Sequence, residues 1–319
     1  MKLLYTESHN TKGGKNMRES RELRWFIFLS IGLLWFNGAE LSGQDHLPTK
    51  AYRDKVIRTI KPTRALKLKA DTISVGVTFP DAFIQTQKSV IIDSARVLLP
   101  VLEHFRLIKA EATDDTIRIV HIGDSHVRGH IFPRKVGANL SEAFGAVIYT
   151  DMGVNGATCL TFTHPARIAD ISSLKPDLLI LSFGTNESHS RGYNANVHYH
   201  QMDELVKLLR DSLPDVPMLM TTPPGSYESF RMRRRKKRYA VNPRTAIAAE
   251  TICRYAKDHN LAVWDMYRAV GGRTRACKNW TAARLMRPDH VHYLAEGYML
   301  QGELLYEAII KAYNNYVSH

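Results

Sequence analysis

Three short stretches of this chain carry residue types that together can split an ester. Ser125, in Gly123-Asp124-Ser125-His126, offers a hydroxyl nucleophile, and Asp289 lies three residues before His292 near the end of the chain. Asn186, in Gly184-Thr185-Asn186-Glu187, offers a side-chain amide. A serine hydroxyl is a poor nucleophile until a base accepts its proton. Among fourteen histidines His292 is the candidate base, because Asp289 can hydrogen-bond its ring and fix the tautomer. His290 and His126 are rivals on sequence grounds, and each can equally be a substrate-facing or surface histidine.

Charge that grows on a carbonyl oxygen during acyl transfer needs donors fixed beforehand. Gly153-Val154-Asn155-Gly156 and Asn186 follow successive strand candidates and are placed to supply them. Gly156 would give a backbone N–H, Asn186 its side-chain amide, and Ser125 its own N–H as a third donor.

The elements that must hold these residues alternate in type. Thr116–Ile122, Ala146–Thr150, Asp177–Phe183, Val216–Thr221 and Leu261–Trp264 are short β-rich runs, and amphipathic stretches separate them at Pro133–Phe144, Val197–Ser212 and Val241–Asn260. A closing helix is expected from about Leu294 to Tyr313. This order predicts an α/β fold with a parallel central sheet covered by helices on both faces. Apolar residues at helical spacing from Ser89 to Lys109 predict one more helix ahead of it. Pro223-Pro224-Gly225 ends the fourth strand and the basic run Arg231–Arg238 follows, which a doubly wound sheet would put on the ligand side. Trp264, Tyr267 and Trp280 suit either a sugar subsite or core packing.

Gly123-Asp124-Ser125, Gly156, Asn186 and Asp289-x-x-His292 resemble the four blocks of the SGNH/GDSL hydrolase superfamily, over roughly residues 115–313. The resemblance implies a three-layer α/β/α sandwich of flavodoxin-like type, a Ser125–His292–Asp289 triad, and an oxyanion hole of Ser125, Gly156 and Asn186. Gly-Asp-Ser-His at 123–126, Gly-Thr-Asn-Glu at 184–187, Arg-Asp-Ser-Leu-Pro at 210–214, Ala-Val-Gly-Gly at 269–272 and Lys-Asn-Trp at 278–280 are similar to segments of bacterial peptidoglycan O-acetylesterases. Two features depart from that group. Only some thirty residues separate Ser125 from Gly156, where members can carry a carbohydrate-binding-like module, and the Arg231–Arg238 run has no counterpart.

The N-terminal part reads as a targeting segment. Trp25–Phe36 is apolar, follows Arg18, Arg21 and Arg24, and precedes small residues at Gly38-Ala39 and Ser42-Gly43. That is the layout of a secretory signal, with Met17 a better start than Met1, and its twelve residues are short for a membrane span. No cysteine follows the run to take a lipid. The expected organisation is a signal region at 1–43, an arm and helix at 44–114, and a catalytic domain at 115–319. Cys159, Cys253 and Cys277 show no paired metal spacing; they read as isolated thiols or as one bridge, most simply Cys253 to Cys277.

Net charge is +13 over 319 residues, and loss of residues 1–43, with six Lys/Arg and four Asp/Glu, leaves it near +11. Such a charge favours a polyanionic surface such as a cell wall or membrane. Nucleic acid suits the same charge, but an exported chain rarely meets it, and no obligate protein partner, metal or organic cofactor is implied. The expected activity is that of a serine esterase of the bacterial periplasm or envelope that removes O-acetyl groups from glycans, peptidoglycan foremost. Acetylesterase action on xylan, pectin or host glycans, O-acetyl transfer, and non-catalytic wall binding are the alternatives.

Overall fold

The computed structural model describes residues 71–231 and 237–319. The expected signal region, the first part of the arm and the centre of the Arg231–Arg238 run fall outside the described residues.

The sheet is built from six strands: β1 (Ile91–Ile92), β2 (Ile117–Gly123), β3 (Val147–Gly153), β4 (Leu178–Ser182), β5 (Met218–Thr221) and, after a separate strand pair, β8 (Ala262–Trp264). Their order across the sheet is β1-β8-β5-β4-β2-β3, with every pair parallel except the edge pair β1–β8. Side chains alternate between two apolar layers, as a strand buried on both faces requires. Ile117, Ile119, Leu178, Ile180, Leu219, Ala262 and Trp264 enter one layer, whereas Val120, Ile122, Leu179, Leu181, Met218, Met220 and Val263 enter the other. The first layer is closed by α1 (Leu99–Lys109), α3 (Ile131–Phe144) and the long C-terminal α10 (Ala295–Ser318). The second is closed by α4 (Pro165–Ser173), α6 (Ala195–Ser212) and part of α7 (Pro243–Asp258). The short α2 (Ser125–Arg128), α5 (Thr185–His189) and α8 (Met266–Ala269) lead off the ends of β2, β4 and β8, and α9 (Gly272–Ala282) follows. This is the expected three-layer α/β/α arrangement, with the five main strands and four main helices found within a few residues of their expected bounds.

The helix expected from Ser89 is different. It starts only at Leu99, and Ile91–Ile92 instead pair antiparallel with Val263 and Trp264. Asp93 accepts the backbone N–H groups of Val97 at 2.8 Å and Leu98 at 2.9 Å, and Arg96 adopts φ 54°, so a tight turn replaces the predicted first turns of helix. Ahead of β1 the described arm is extended, with Ile73, Val75, Val77 and Phe79 packed on the first layer and the Ile73 backbone exchanging two hydrogen bonds with the Asn314 side chain. The arm, α1 and the sheet thus share one apolar core. All three cysteines are free, Cys159 and Cys277 buried and Cys253 half-buried, so the Cys253–Cys277 bridge is absent. No helix among the described residues is long and apolar enough to cross a membrane.

A polar chain runs across the sheet beneath its carboxyl edge. His121 on β2 meets the Tyr149 hydroxyl of β3 at 2.8 Å and the Ser182 hydroxyl of β4 at 2.6 Å, and Ser182 meets Thr221 of β5 at 2.7 Å. Burial pushes the His121 imidazole down to about 3. As pH falls through about 6.5 the unfolded chain takes up a proton that the folded chain refuses. The stability from neutral His121 is therefore fully present above that pH and is lost as pH falls toward 3, at up to about 1.4 kcal/mol per unit. Asp124 works in the opposite direction, since burial pushes it up to about 7 and the folded chain retains a proton that the unfolded chain loses above about 4. His121→Gln is expected to flatten the acid limb of the unfolding free energy between pH 6.5 and 4 by about one proton. Denaturant titrations at stepped pH measure this, and parallel limbs for the two proteins would refute it.

Candidate functional site

Ser125 stands where β2 ends. Asp124 caps α2 by accepting the His126 N–H at 2.8 Å, which places Ser125 in the first turn, where its backbone N–H has no intrahelical acceptor. Its Oγ lies 2.9 Å from His292 Nε2, and His292 Nδ1 lies 3.0 Å from Asp289 Oδ2. The spacing of three residues accounts for this orientation. Asp289 Oδ1 accepts the N–H groups of Val291 and His292, both at 2.8 Å, so the turn fixes the carboxylate and leaves Oδ2 for the ring. Partial burial raises the Asp289 pKa, but the Val291 and His292 donors outweigh it and hold the group below the ordinary carboxylate value. An ionised carboxylate only accepts, so the ring is protonated at Nδ1 and Nε2 is free to take the serine proton.

The rival histidines stand elsewhere. His126 points its Nδ1 at the Tyr298 hydroxyl, 3.0 Å away, and burial drives its imidazole down to about 3. Its ring packs 5.5 Å from that of His292. His290 lies under Tyr239, ring centres 4.1 Å apart, with its backbone carbonyl accepting the Tyr227 N–H. Neither shares a hydrogen bond with Ser125.

Gly156 and Asn186 line the same cleft as Ser125 and His292, a space of about 870 Å³. Gly156 has φ 72°, a conformation that favours glycine. Asn186 commits one amide hydrogen to the Ala157 carbonyl at 2.8 Å, tying the β4 end to the loop after β3 and leaving its second N–H for the cleft. Glu187, buried, fastens the same junction by accepting the Cys159 and Gly184 N–H groups, each at 2.9 Å. Cys159, Glu187 and His198 have ligand atoms within 4.8 Å of one another, a set that a metal ion can use in principle. Here both Glu187 oxygens already serve backbone amides. Glu187→Ala strips two buried donors of their acceptor and is expected to cost about 2–4 kcal/mol and to loosen Asn186. Chemical denaturation and kcat measured on the same samples check this, and unchanged values of both would refute it.

Trp264 and Trp280 are fully buried, and Tyr267 is 5% exposed. Their indole N–H groups bond Ser89 Oγ and the Pro224 carbonyl, so the three aromatics belong to the core, not to a sugar subsite. The described ends of the basic run lie on two strands, β6 (Tyr227–Arg231) paired antiparallel with β7 (Lys237–Val241). Tyr227 and Tyr239 of this strand pair dock on His290, the residue after Asp289. Sequence reasoning passed over Arg128 and Arg287, which also line the cleft; isolated arginines carry no periodic or motif signal.

A serine, a histidine and a carboxylate in hydrogen-bonded series above the carboxyl ends of a parallel sheet define the class, an α/β serine hydrolase. The model of the GDSL-like lipase/acylhydrolase family matches residues 121–300, and the chain belongs to that family. It is a carboxylic ester hydrolase with the SGNH-hydrolase fold. Among solved structures it is similar to a peptidoglycan O-acetylesterase at TM-score 0.62 and 16% identity, over 70% of this chain and 99% of that one. A GDSL-like lipase from Bacteroides thetaiotaomicron gives TM-score 0.44 and 19% identity over 66% and 99% of the two chains. A carbohydrate acetylesterase from Sinorhizobium meliloti gives 0.44 and 14% over 62% and 100%. No curated protein matches the chain by sequence.

Proposed function

We propose that the protein is an exported serine esterase that removes O-acetyl groups from glycans, with peptidoglycan as its substrate. The observation that carries this reading is the Ser125–His292–Asp289 series opening into a cleft that Gly156 and Asn186 also line. In the proposed reaction Ser125 Oγ attacks the acetyl carbonyl as its proton passes to His292 Nε2. The oxyanion is met by the Ser125 and Gly156 N–H groups and the Asn186 amide. Collapse breaks the bond to the sugar oxygen, which takes the proton from His292, and leaves an acetyl group on Ser125. Water, deprotonated by the same nitrogen, then releases acetate and restores the hydroxyl. Asp289 keeps the ring in its reactive tautomer throughout.

The glycan assignment is supported by the likeness to peptidoglycan O-acetylesterases in segments such as Ala-Val-Gly-Gly at 269–272, by the net charge, and by the signal-like residues 17–43. Acetate release by residues 44–319 from O-acetylated peptidoglycan, beside acetylated xylan and an aryl acetate, tests it. Preferential release from peptidoglycan is the expected result. Aryl acetate cleavage with peptidoglycan untouched would overturn the substrate assignment, and transfer of acetyl to an added sugar acceptor would overturn hydrolysis as the main outcome.

A further inference from the structure

Two arginines, Arg128 and Arg287, are among the residues that line the cleft, and none of the lining residues is acidic. Arg128 lies one helical turn after Ser125 on α2, and Arg287 donates its backbone N–H to the His292 carbonyl at 2.8 Å. One arginine is therefore built into the nucleophile's element and the other into the histidine's turn. Arg128 is braced: its guanidinium meets His130 Nε2, and His130 Nδ1 meets Asp151. That chain spends one end of the fork, and the rest makes no further hydrogen bond among the described residues. The Arg287 side chain makes no ion pair or hydrogen bond among the described residues. The nearest carboxylate along its own turn, Asp289, is occupied by two backbone donors and the His292 ring.

Arg128 keeps part of its fork beyond the His130–Asp151 chain and Arg287 has no ion-pair partner among the described residues; guanidinium groups lining a concave site favour an anionic ligand, and guanidinium matches a carboxylate in shape as well as sign. We infer that the cleft recognises a carboxylate carried by the same sugar unit as the ester, with Arg287 its main contact and Arg128 its second. Both arginines line the same cleft as Ser125 and His292, so the anion and the ester it accompanies are expected on one sugar unit. The exposed Arg231, Lys237 and Arg238 of the β6–β7 strand pair, docked on His290, add positive potential on the approach to the site. A glycan with a free carboxylate on its acetylated sugar, either a uronic acid or a lactyl group not joined to peptide, fits this cleft, and a neutral acetylated xylan does not engage it. The inference rests on the esterase reading only for where the sugar lies.

The test separates the two. The Ser125→Ala protein is titrated by NMR with N-acetylmuramic acid, its methyl ester, and N-acetylglucosamine, which differ in whether a carboxylate is present. The acid is expected to bind at least about tenfold more tightly than either neutral sugar, with the advantage shrinking as salt rises from about 20 to about 500 mM. Arg287→Gln is expected to abolish most of that preference and Arg128→Gln part of it. Equal binding of acid and methyl ester, a preference that survives Arg287→Gln, or no binding of any of the three at millimolar sugar overturns the inference. Acetate release without acid preference leaves the esterase standing, whereas acid preference without acetate release leaves the subsite standing.

Discussion

Ser125→Ala is expected to lower kcat on an aryl acetate by about 10⁴- to 10⁶-fold while the protein stays folded. The size follows from what Oγ does in the reaction: without it there is no acyl-enzyme, and only binding and the oxyanion donors remain to accelerate attack by water. The fold should tolerate the change, because Oγ makes a single hydrogen bond, to His292 Nε2, at a partly open site. Its loss costs about 1 kcal/mol or less. His292→Ala should lose nearly as much activity. The double variant should lose little more than either single one, since residues acting as a unit are not additive. Steady-state kinetics with circular dichroism on the three variants decide the matter. A Ser125→Ala protein retaining a tenth of the activity would remove serine from the mechanism, and full additivity would mean that serine and histidine act separately.

Why so much of the site was legible while its surroundings were not comes down to range. The strands announce themselves because residues such as Leu178 to Ser182 are buried on both faces and read as unbroken apolar runs. Ser125, Gly156 and Asn186 were legible because each follows a strand end closely, so the order of motifs is also their order in space. Asp289 and His292 were legible because their contact is made within one turn. The rest depends on residues far apart in sequence. Ile91–Ile92 share the helical spacing of the segment after them, and only pairing with Val263 and Trp264, over 170 positions away, makes them a strand. His121 sits inside a run read as β-rich, its ring satisfied by Tyr149 and Ser182 from neighbouring strands. Trp280 offered two readings because its depth is set by Phe83 and Tyr293 packing on it from distant segments. Arg128 and Arg287 meet at one cleft although 159 positions separate them in the sequence.

The seat of the nucleophile yields the second large expectation. β2 and β3 end in register at Gly123 and Gly153, and α2 crosses directly over both. A Cβ on Gly153 would lie 2.1 Å from the Arg128 backbone nitrogen and 2.5 Å from its Cα, with the Val127 carbonyl carbon 2.6 Å away. These are backbone atoms, so no side-chain rotation relieves the contact, and either β3 or α2 must move. Moving α2 carries Ser125 with it, whereas His292 is held by the separate turn at Asp289. Overpacking of this kind costs about 1–3 kcal/mol or more. A misplacement near 1 Å between nucleophile and base costs about 10²-fold in rate. Gly153→Ala is therefore expected to lower kcat by about that factor and to reduce stability, with KM for a small aryl acetate changing less. Gly76→Ala, where an added Cβ meets nothing within 4 Å, serves as the control and should leave both quantities unchanged. If Gly153→Ala lost stability but kept full kcat, the strain would be taken up by the edge strand β3, and α2 would be anchored by Asp124 and its own packing, not by the two glycines beneath it.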